Sequence, residues 1–524
     1  MTEQKKIFES AFKLHQNGNL KEAEVLLKKN LASFPKHLPS IFLLGTLSAQ
    51  IHKFQTAKKL LKQTIKIKPE FKEGHNNLGN VFQELGEYQK ALSCYQEAIK
   101  LNPEYTEAHY NLGKVFQELG KEQEAMSSYR KVIQIDSNYV KAHNNLGRVF
   151  QDLGEYQKAL SCYKQAIKLN PMYAEAHYNI GCVLERFGKM NEALLSYTTA
   201  TQYKLNYTKA LHNLGRVQLA TNDYKNGWIG HELRKGGTQK TYKSLEVLDK
   251  KIWNGKKLEG PLIVHGEQGI GDEILYSSMF SDLESYHDDL TITTDERLIP
   301  IMQRSFSKIN FVSRDNKISS NNNNSSTHIL AGSLGKIFRN SLNDFKKNKH
   351  KWLIPCSKKC DKFKKRLSNL KKNKVGISWR SSGVRSSERN ISLIKLASIF
   401  PKKKFDIINL EYGDISFEKN MLEKKKKRQL IYFNYLDYKN DLEDLSALIK
   451  SCDLVVSIAN ATAHLSGAIG MQTWVLIPTD TQWYWHSKNK ESLWYPSAKL
   501  FRQKTRDEWD YVLDIMKEEI ILQY

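Results

Sequence analysis

The sequence predicts an α-helical repeat array followed by an α/β region built in two halves, and three observations carry that reading. Glycine recurs every 34 residues at Gly45, Gly79, Gly113, Gly147, Gly181 and Gly215, each time after Leu or Ile. A fixed period of that length is the signature of stacked helix pairs. Past residue 260 the period gives way to short β-branched runs alternating with helical stretches, the pattern of α/β layers. With 524 residues and 40% apolar content, the chain is long enough for three domains of ordinary size.

Other residues keep the phase of the glycines. Ala23, Ala57, Ala91, Ala125, Ala159 and Ala193 stand where two helices would approach, with Tyr95, Tyr129, Tyr163 and Tyr197 filling the gap beside the later ones. Pro35, Pro69, Pro103 and Pro171 end repeats, because proline stops a helix. The pattern resembles the tetratricopeptide repeat (TPR). It assigns residues 1–228 to six repeats and a degenerate seventh, and 229–260 to a connector. The resemblance implies a superhelix whose concave face binds peptides or proteins.

Asn77, Asn111, Asn145, Asn179 and Asn213 also repeat at 34 residues, two before each glycine. A ladder of amides can hydrogen-bond an extended peptide backbone without reading its side chains. It is similar to the asparagine ladder in the repeats of protein O-GlcNAc transferases, which holds substrate polypeptide. A second reading stays open: the repeats are nearly identical in places, so duplication alone would carry Asn along. His75, His109, His143 and His177 are spaced too widely for one metal site and read as surface or groove residues.

The formal charge of +25, with lysine runs at 346–351, 358–366 and 424–428, raises nucleic acid as a partner. Those runs lack interleaved aromatics or a nucleic-acid module and fall in loops and exposed helices, so the charge implies only nonspecific attraction to anions or an anionic membrane surface. No apolar run is long enough to cross a bilayer. The opening residues read as an amphipathic first helix, so the expected location is cytoplasmic. Cys94 and Cys162 hold equivalent repeat positions, and Cys356 and Cys360 have no second pair to complete a zinc site. Reduced thiols and no bound metal are expected.

In the α/β region, 261–266 reads as a buried strand, 266–274 as its turn and 274–283 as the following helix. Strands are expected from Leu290, Ile309 and His328, with a low-complexity loop at 319–326. A second set runs through "KVGISW", "KFDIINL", "DLVVSIA" and "TWVLIP". The halves are Rossmann-like domains over 261–370 and 371–524, and in such folds ligands bind beyond the carboxyl ends of the strands. Three segments sit there. The first holds Glu267, Gly269, Gly271 and Asp272, where glycines admit a ligand to the backbone; the alternative is a tight turn with Asp272 as helix N-cap. The second is "SWRSSG" with Arg380, Arg385 and Arg389 nearby, suited to phosphate oxygens, or else a solvated basic loop. The third, 457–470, is a strand-to-helix crossing whose early amides favour an anion, with His464 in its first helical turns.

The blocks "GEQGIGDEILYSSMFSDL", "VGISWRSSG", "INLEYGD", "TAHLSGAIGMQTWVLIP" and "SLWYPSAKLFRQ", in that order, resemble the glycosyltransferase family that includes bacterial heptosyltransferases, and repeat-bearing bacterial proteins related to it. The resemblance implies a GT-B fold, an acceptor bound mainly by the first Rossmann-like domain, a nucleotide-sugar donor bound by the second as co-substrate, and no obligatory metal or other cofactor. It implies inverting transfer with Asp272 as general base. Glu267, Gly269 and Gly271 would shape the acceptor loop. Ser381, Ser382 and Arg389 would contact donor phosphate, Glu411 would hold the nucleoside, and Asn460, Ala461 and His464 would surround the diphosphate and sugar. The sequence departs from the family at Ala459, where heptosyltransferases carry Asp. It departs again at Gln482, Trp483, Tyr484 and Trp485, where the repeat-bearing relatives usually carry an arginine. The expected function is sugar transfer to a polypeptide or glycan-carrier acceptor recruited by the array. The alternative is a noncatalytic scaffold with a degenerate transferase domain. Trp483, Trp485, Trp494 and Tyr495 read as packing rather than stacking platforms.

Overall fold

The computed structural model describes residues 3–236, 251–258, 260–267, 269–315, 326–347, 350–381 and 389–524. Ser382, Arg385 and most of the low-complexity stretch at 319–326 lie outside the described residues. The chain divides into two compact units, Met1–Val183 and Leu184–Tyr524.

The first unit consists of antiparallel helix pairs, beginning with Glu3–Gln16 and Leu20–Ser33 and continuing through Val140–Asp152 and Tyr156–Leu169. The helix Ala174–Arg186 spans the boundary between the units. Periodic small residues are small for a steric reason. A Cβ on Gly79, Gly113 or Gly147 would stand 2.5, 2.7 or 2.6 Å from the ring of Tyr95, Tyr129 or Tyr163, and those rings are fully buried. The in-phase alanines from Ala23 to Ala193 are fully buried as well.

A second periodic series turns each pair. The chain enters the left-handed region at Gly18, His52, Gly86, Gly120, Gly154, Gly188 and Asn222, again 34 residues apart. Glycine occupies that conformation without a Cβ penalty, and His52 and Asn222 do not. The repeated histidines have a local task. His75, His109 and His177 donate a ring N–H to the carbonyls of Pro69, Pro103 and Pro171, and His143 to that of Ser137, at 2.8–3.0 Å. They tie each helix to the turn before it.

The second unit holds the helices Met190–Tyr203, Thr208–Ala220 and Tyr224–His231 together with two wholly parallel sheets. The first sheet comprises β1 (Leu262–His265), β2 (Leu290–Thr294), β3 (Asn310–Ser313) and β4 (Thr327–Leu330), in the order β3-β2-β1-β4. The second comprises β5 (Asn373–Ser378), β6 (Phe405–Asn409), β7 (Leu430–Ile431), β8 (Leu454–Ile458), β9 (Thr473–Ile477) and β10 (Ala498–Arg502), in the order β10-β9-β8-β5-β6-β7. The expected α/β region is therefore present, and β7 and β10 are additions to the strands read from sequence. Strand order reverses between β1 and β4 and between β5 and β8, which places a crevice at the carboxyl ends of each pair.

Two local expectations change. The helix after the glycine turn begins at Ile270, not Ile274, and after Ser277 the chain re-forms a helix at Phe280–Glu284. The basic run ending at residue 428 is not wholly exposed. Lys427 is left-handed, which turns Arg428 inward to donate to the carbonyls of Ala397, Phe400 and Phe405. Among the described residues, no helix is long and apolar enough to cross a membrane.

Candidate functional site

The glycine turn after β1 is braced from three sides. Gly266 donates to the carbonyl and hydroxyl of Thr293 at 2.9 and 3.0 Å, and a Cβ there would lie 2.3 Å from the Thr293 oxygen. Glu267 is 4% exposed and forms a two-point ion pair with Arg234, at 2.7 and 2.9 Å. Glu273 accepts from the Thr294 hydroxyl, the Asp295 amide and Arg314 at 2.6–2.8 Å. Of the three carboxylates in this segment, Asp272 carries no ion pair among the described residues.

Asp272 lies in the first turn of the helix Ile270–Ser277, whose N-cap is Gly269. Burial is the main cause that raises its carboxyl from 3.8 to about 7, with Glu267 and Glu273 adding repulsion and the Gly269 amide opposing them. Its charge is felt by Tyr276, Tyr484 and Tyr495. That helix packs against the helix Ala461–Ile469: a Cβ on Gly271 would meet His464 Cδ2 at 2.9 Å and Nε2 at 3.3 Å. The glycine turn of the first sheet and His464 of the second are thus brought together.

His464 is buried, shares a 2.6 Å hydrogen bond through Nδ1 with the Tyr495 hydroxyl, and is ringed by Tyr484, Trp485 and Tyr495 at 5.1–5.5 Å between centroids. Burial pushes its pKa down to about 3, so the ring is neutral. Trp483, Trp485, Trp494 and Tyr495 are buried, as packing residues should be. Arg389 acts electrostatically on the Tyr484 hydroxyl.

The remaining residues expected to hold a donor form a network among themselves. Asn460 caps the helix Ala461–Ile469, its Oδ1 accepting from the Thr462 and Ala463 amides and from the Ser457 hydroxyl. Its Nδ2 donates to Ser378 Oγ and to the Arg380 carbonyl, at 2.8 and 3.0 Å. Ser378 in turn donates to Glu411, whose buried carboxylate also accepts from the amides of Trp379, Arg380 and Tyr412. These contacts lock together the carboxyl ends of β5, β6 and β8. Ser381 donates its amide to Asn390 Oδ1 at 2.8 Å, and Ala461 is exposed at the helix start. Sequence reasoning missed Arg234, the partner of Glu267; Ser378 and Ser457 open two of the strand-end segments read from sequence, without a role of their own there.

The asparagine ladder is also engaged. Asn111 and Asn179 donate to Oδ1 of Asn76 and Asn144, Asn77 to Thr46, Asn145 to the hydroxyls of Tyr110 and Tyr129, and Asn213 to Tyr197, at 2.9–3.4 Å. Each amide donor bonds a neighbouring side chain within its own unit.

Comparison with known proteins agrees with the repeats. The family described as TPR repeat matches residues 80–120, 118–154 and 147–186, and the one described as tetratricopeptide repeat matches 174–207. The N-terminal region carries these repeats. Over 326 residues the chain is 25% identical to Protein FlbA of Caulobacter vibrioides, covering 56% of this chain and 52% of that protein. The match thus spans about half the length of that relative. Similar solved structures include MamA protein, 26% identical with a TM-score of 0.30 over 33% of this chain and 96% of that one. A tetratricopeptide repeat protein from Parabacteroides merdae is 20% identical with a TM-score of 0.39, over 45% of this chain and 94% of that one.

Proposed function

We propose that the chain is a glycosyltransferase that moves a sugar from a nucleotide-sugar donor to an acceptor recruited by its repeats. One observation carries the reading: Asp272 is the carboxylate of its segment without an ion pair, has a pKa near 7, and stands where the two parallel sheets bring the glycine turn and His464 together. A carboxylate so tuned can accept a proton from an acceptor hydroxyl at neutral pH. Gly269 leaves backbone open for the acceptor, since a Cβ there would meet nothing within 4 Å, whereas Gly271 is small because His464 packs against it. Arg389, Ser381, Ser382 and the Ala461 amide would take the leaving diphosphate, with the helix dipole favouring its charge. His464, neutral and held by Tyr495, would hydrogen-bond the donor sugar or diphosphate rather than supply charge. Glu411 and Asn460 would act by shaping the loop after β5, because their polar atoms are occupied. In the array, one N–H of the Asn111 and Asn179 amides is already engaged, so the other N–H and Oδ1 would meet the carbonyl and N–H groups of an extended polypeptide.

A second reading, a scaffold without turnover, draws on the closed network of Glu411, Ser378 and Asn460 and on Ala459 in place of a family carboxylate. Thermal shift across uridine, guanosine, adenosine and cytidine diphosphates and their sugar conjugates separates the two. Ligand at about a hundred times its Kd stabilises the folded site by about 2.7 kcal/mol. A selective rise in Tm that Arg389→Ala abolishes supports the transferase; no rise with any nucleotide leaves the scaffold.

A further inference from the structure

The array's last turn reaches the base of the glycine loop. Arg234, in the short 3-10 turn Glu232–Gly236 that follows the helix Tyr224–His231, is 5% exposed and uses its whole guanidinium. Nε and Nη2 bond the two oxygens of Glu267 at 2.7 and 2.9 Å, Nη2 also bonds Ser333 Oγ at 3.1 Å, and Nη1 bonds the His231 carbonyl and Glu232 at 3.1 Å each. Ser333 follows β4 and Glu267 follows β1, so one side chain spans the crevice where the strand order of the first sheet reverses. Gly332 is tight against it: a Cβ there would lie 3.0 Å from Nη2.

We infer that Arg234 is a positioning residue, which fixes the glycine loop through Glu267 and thereby holds Asp272 beside the helix that carries His464. A fork of two parallel bonds fixes orientation as well as distance, which a lysine cannot reproduce. The pair also sets charge. Asp272 is faced by Glu267 and Glu273 from its own segment, by Tyr276 one turn on, by Tyr484 and Tyr495, and by neutral His464 on the facing helix; Arg389 acts on Tyr484. Glu267 is the stronger of the two neighbouring charges that hold the Asp272 proton on, and Arg234 is its counterion. The pair therefore links the end of the repeats to the protonation of the proposed base. Its catalytic meaning rests on the transferase reading, but the geometric claim does not.

The test uses the full chain and needs no substrate. Hydrogen exchange is followed in peptides covering 262–276 for wild type, Arg234→Met, Arg234→Lys, Glu267→Gln and the Arg234→Met/Glu267→Gln double variant. Arg234→Met and Glu267→Gln should each speed exchange there by about tenfold while β2 and β3 keep their protection, and the double variant should add little to either. Arg234→Lys should fall between Arg234→Met and wild type. The pH at which a carbodiimide ceases to modify Asp272, read by mass spectrometry, should fall in Glu267→Gln by about half a pH unit or more. If Arg234→Met does not fold, isosteric Glu267→Gln alone decides. Exchange at 262–276 that rises no more than elsewhere, or an unmoved Asp272 midpoint in Glu267→Gln, overturns the inference. Either result is independent of nucleotide binding, so failure here and failure of the transferase reading remain distinguishable.

Discussion

At the residue scale, burial and pairing decide which carboxylate can react. Glu267, Asp272 and Glu273 lie within seven residues, yet two are neutralised by Arg234 and Arg314 and the third is left to titrate. Asp272 is an acid whose folded-state pKa is raised, to about 7, so the stability it adds is full below its ordinary value of 3.8 and is lost as pH rises through about 7. Asp272→Asn cannot ionise. It should melt about 2–4 °C above wild type at pH 8, with the advantage shrinking toward zero near pH 4. Transfer should be lost at every pH with nucleotide affinity retained, and a Tm difference that does not grow with pH would contradict the assignment. The identity of Asp272 as a candidate was legible from the glycine turn. Its lone unpaired state was not, because Arg234 and Arg314 reach its neighbours Glu267 and Glu273 from 33 and 41 residues away.

At the element scale, the repeat works as two interlocked series 34 residues apart. One removes side chains where helices touch and the other supplies left-handed turns. Gly147→Ala gains up to about 1 kcal/mol of helix propensity but drives a Cβ to 2.6 Å from the buried Tyr163 ring, and the clash should win by about 1–3 kcal/mol. His52→Gly should do the opposite, stabilising by about 0.5–1 kcal/mol because it relieves a left-handed position that glycine fills in five of its seven occurrences. Urea melts of both variants check these signs together; a stable Gly147→Ala would mean that Tyr163 can swing aside. The helix glycines were plain in the sequence. The turn series was less so, since His52 and Asn222 interrupt it.

At the scale of the whole molecule, the second compact unit starts at Leu184, inside the repeats, while the repeat pattern carries the array on to residue 228. Side chains of the last helix pair explain this. Trp228 is fully buried, donates to the Arg339 carbonyl at 2.7 Å, and packs edge-on to Trp483 at 5.3 Å. Gly335 is small because a Cβ there would stand 2.1 Å from the Trp228 ring. Tyr224 shares a 2.8 Å hydrogen bond with buried His486. A fragment covering 184–524 should therefore melt cooperatively, whereas one covering 237–524 should aggregate or melt broadly, as calorimetry and light scattering would register. Trp228→Ala in the longer fragment should cost about 3–5 kcal/mol. A cooperative melt for the shorter fragment would show that the last repeat is dispensable.

The period of the array, the small residues it needs, the α/β alternation after it and the strand-end segments where chemistry can gather are all written along the chain, because each depends on neighbours within a few residues or on an exact repeat. Tertiary structure alone decided which of those segments meet and which polar groups remain available. The network of Ser378, Glu411 and Asn460, the ion pair of Arg234 and Glu267, and the approach of Gly271 to His464 join residues 33 to 193 positions apart. Hydrogen bonds and desolvation act through space, so no local pattern can record whether a buried carboxylate has found a partner.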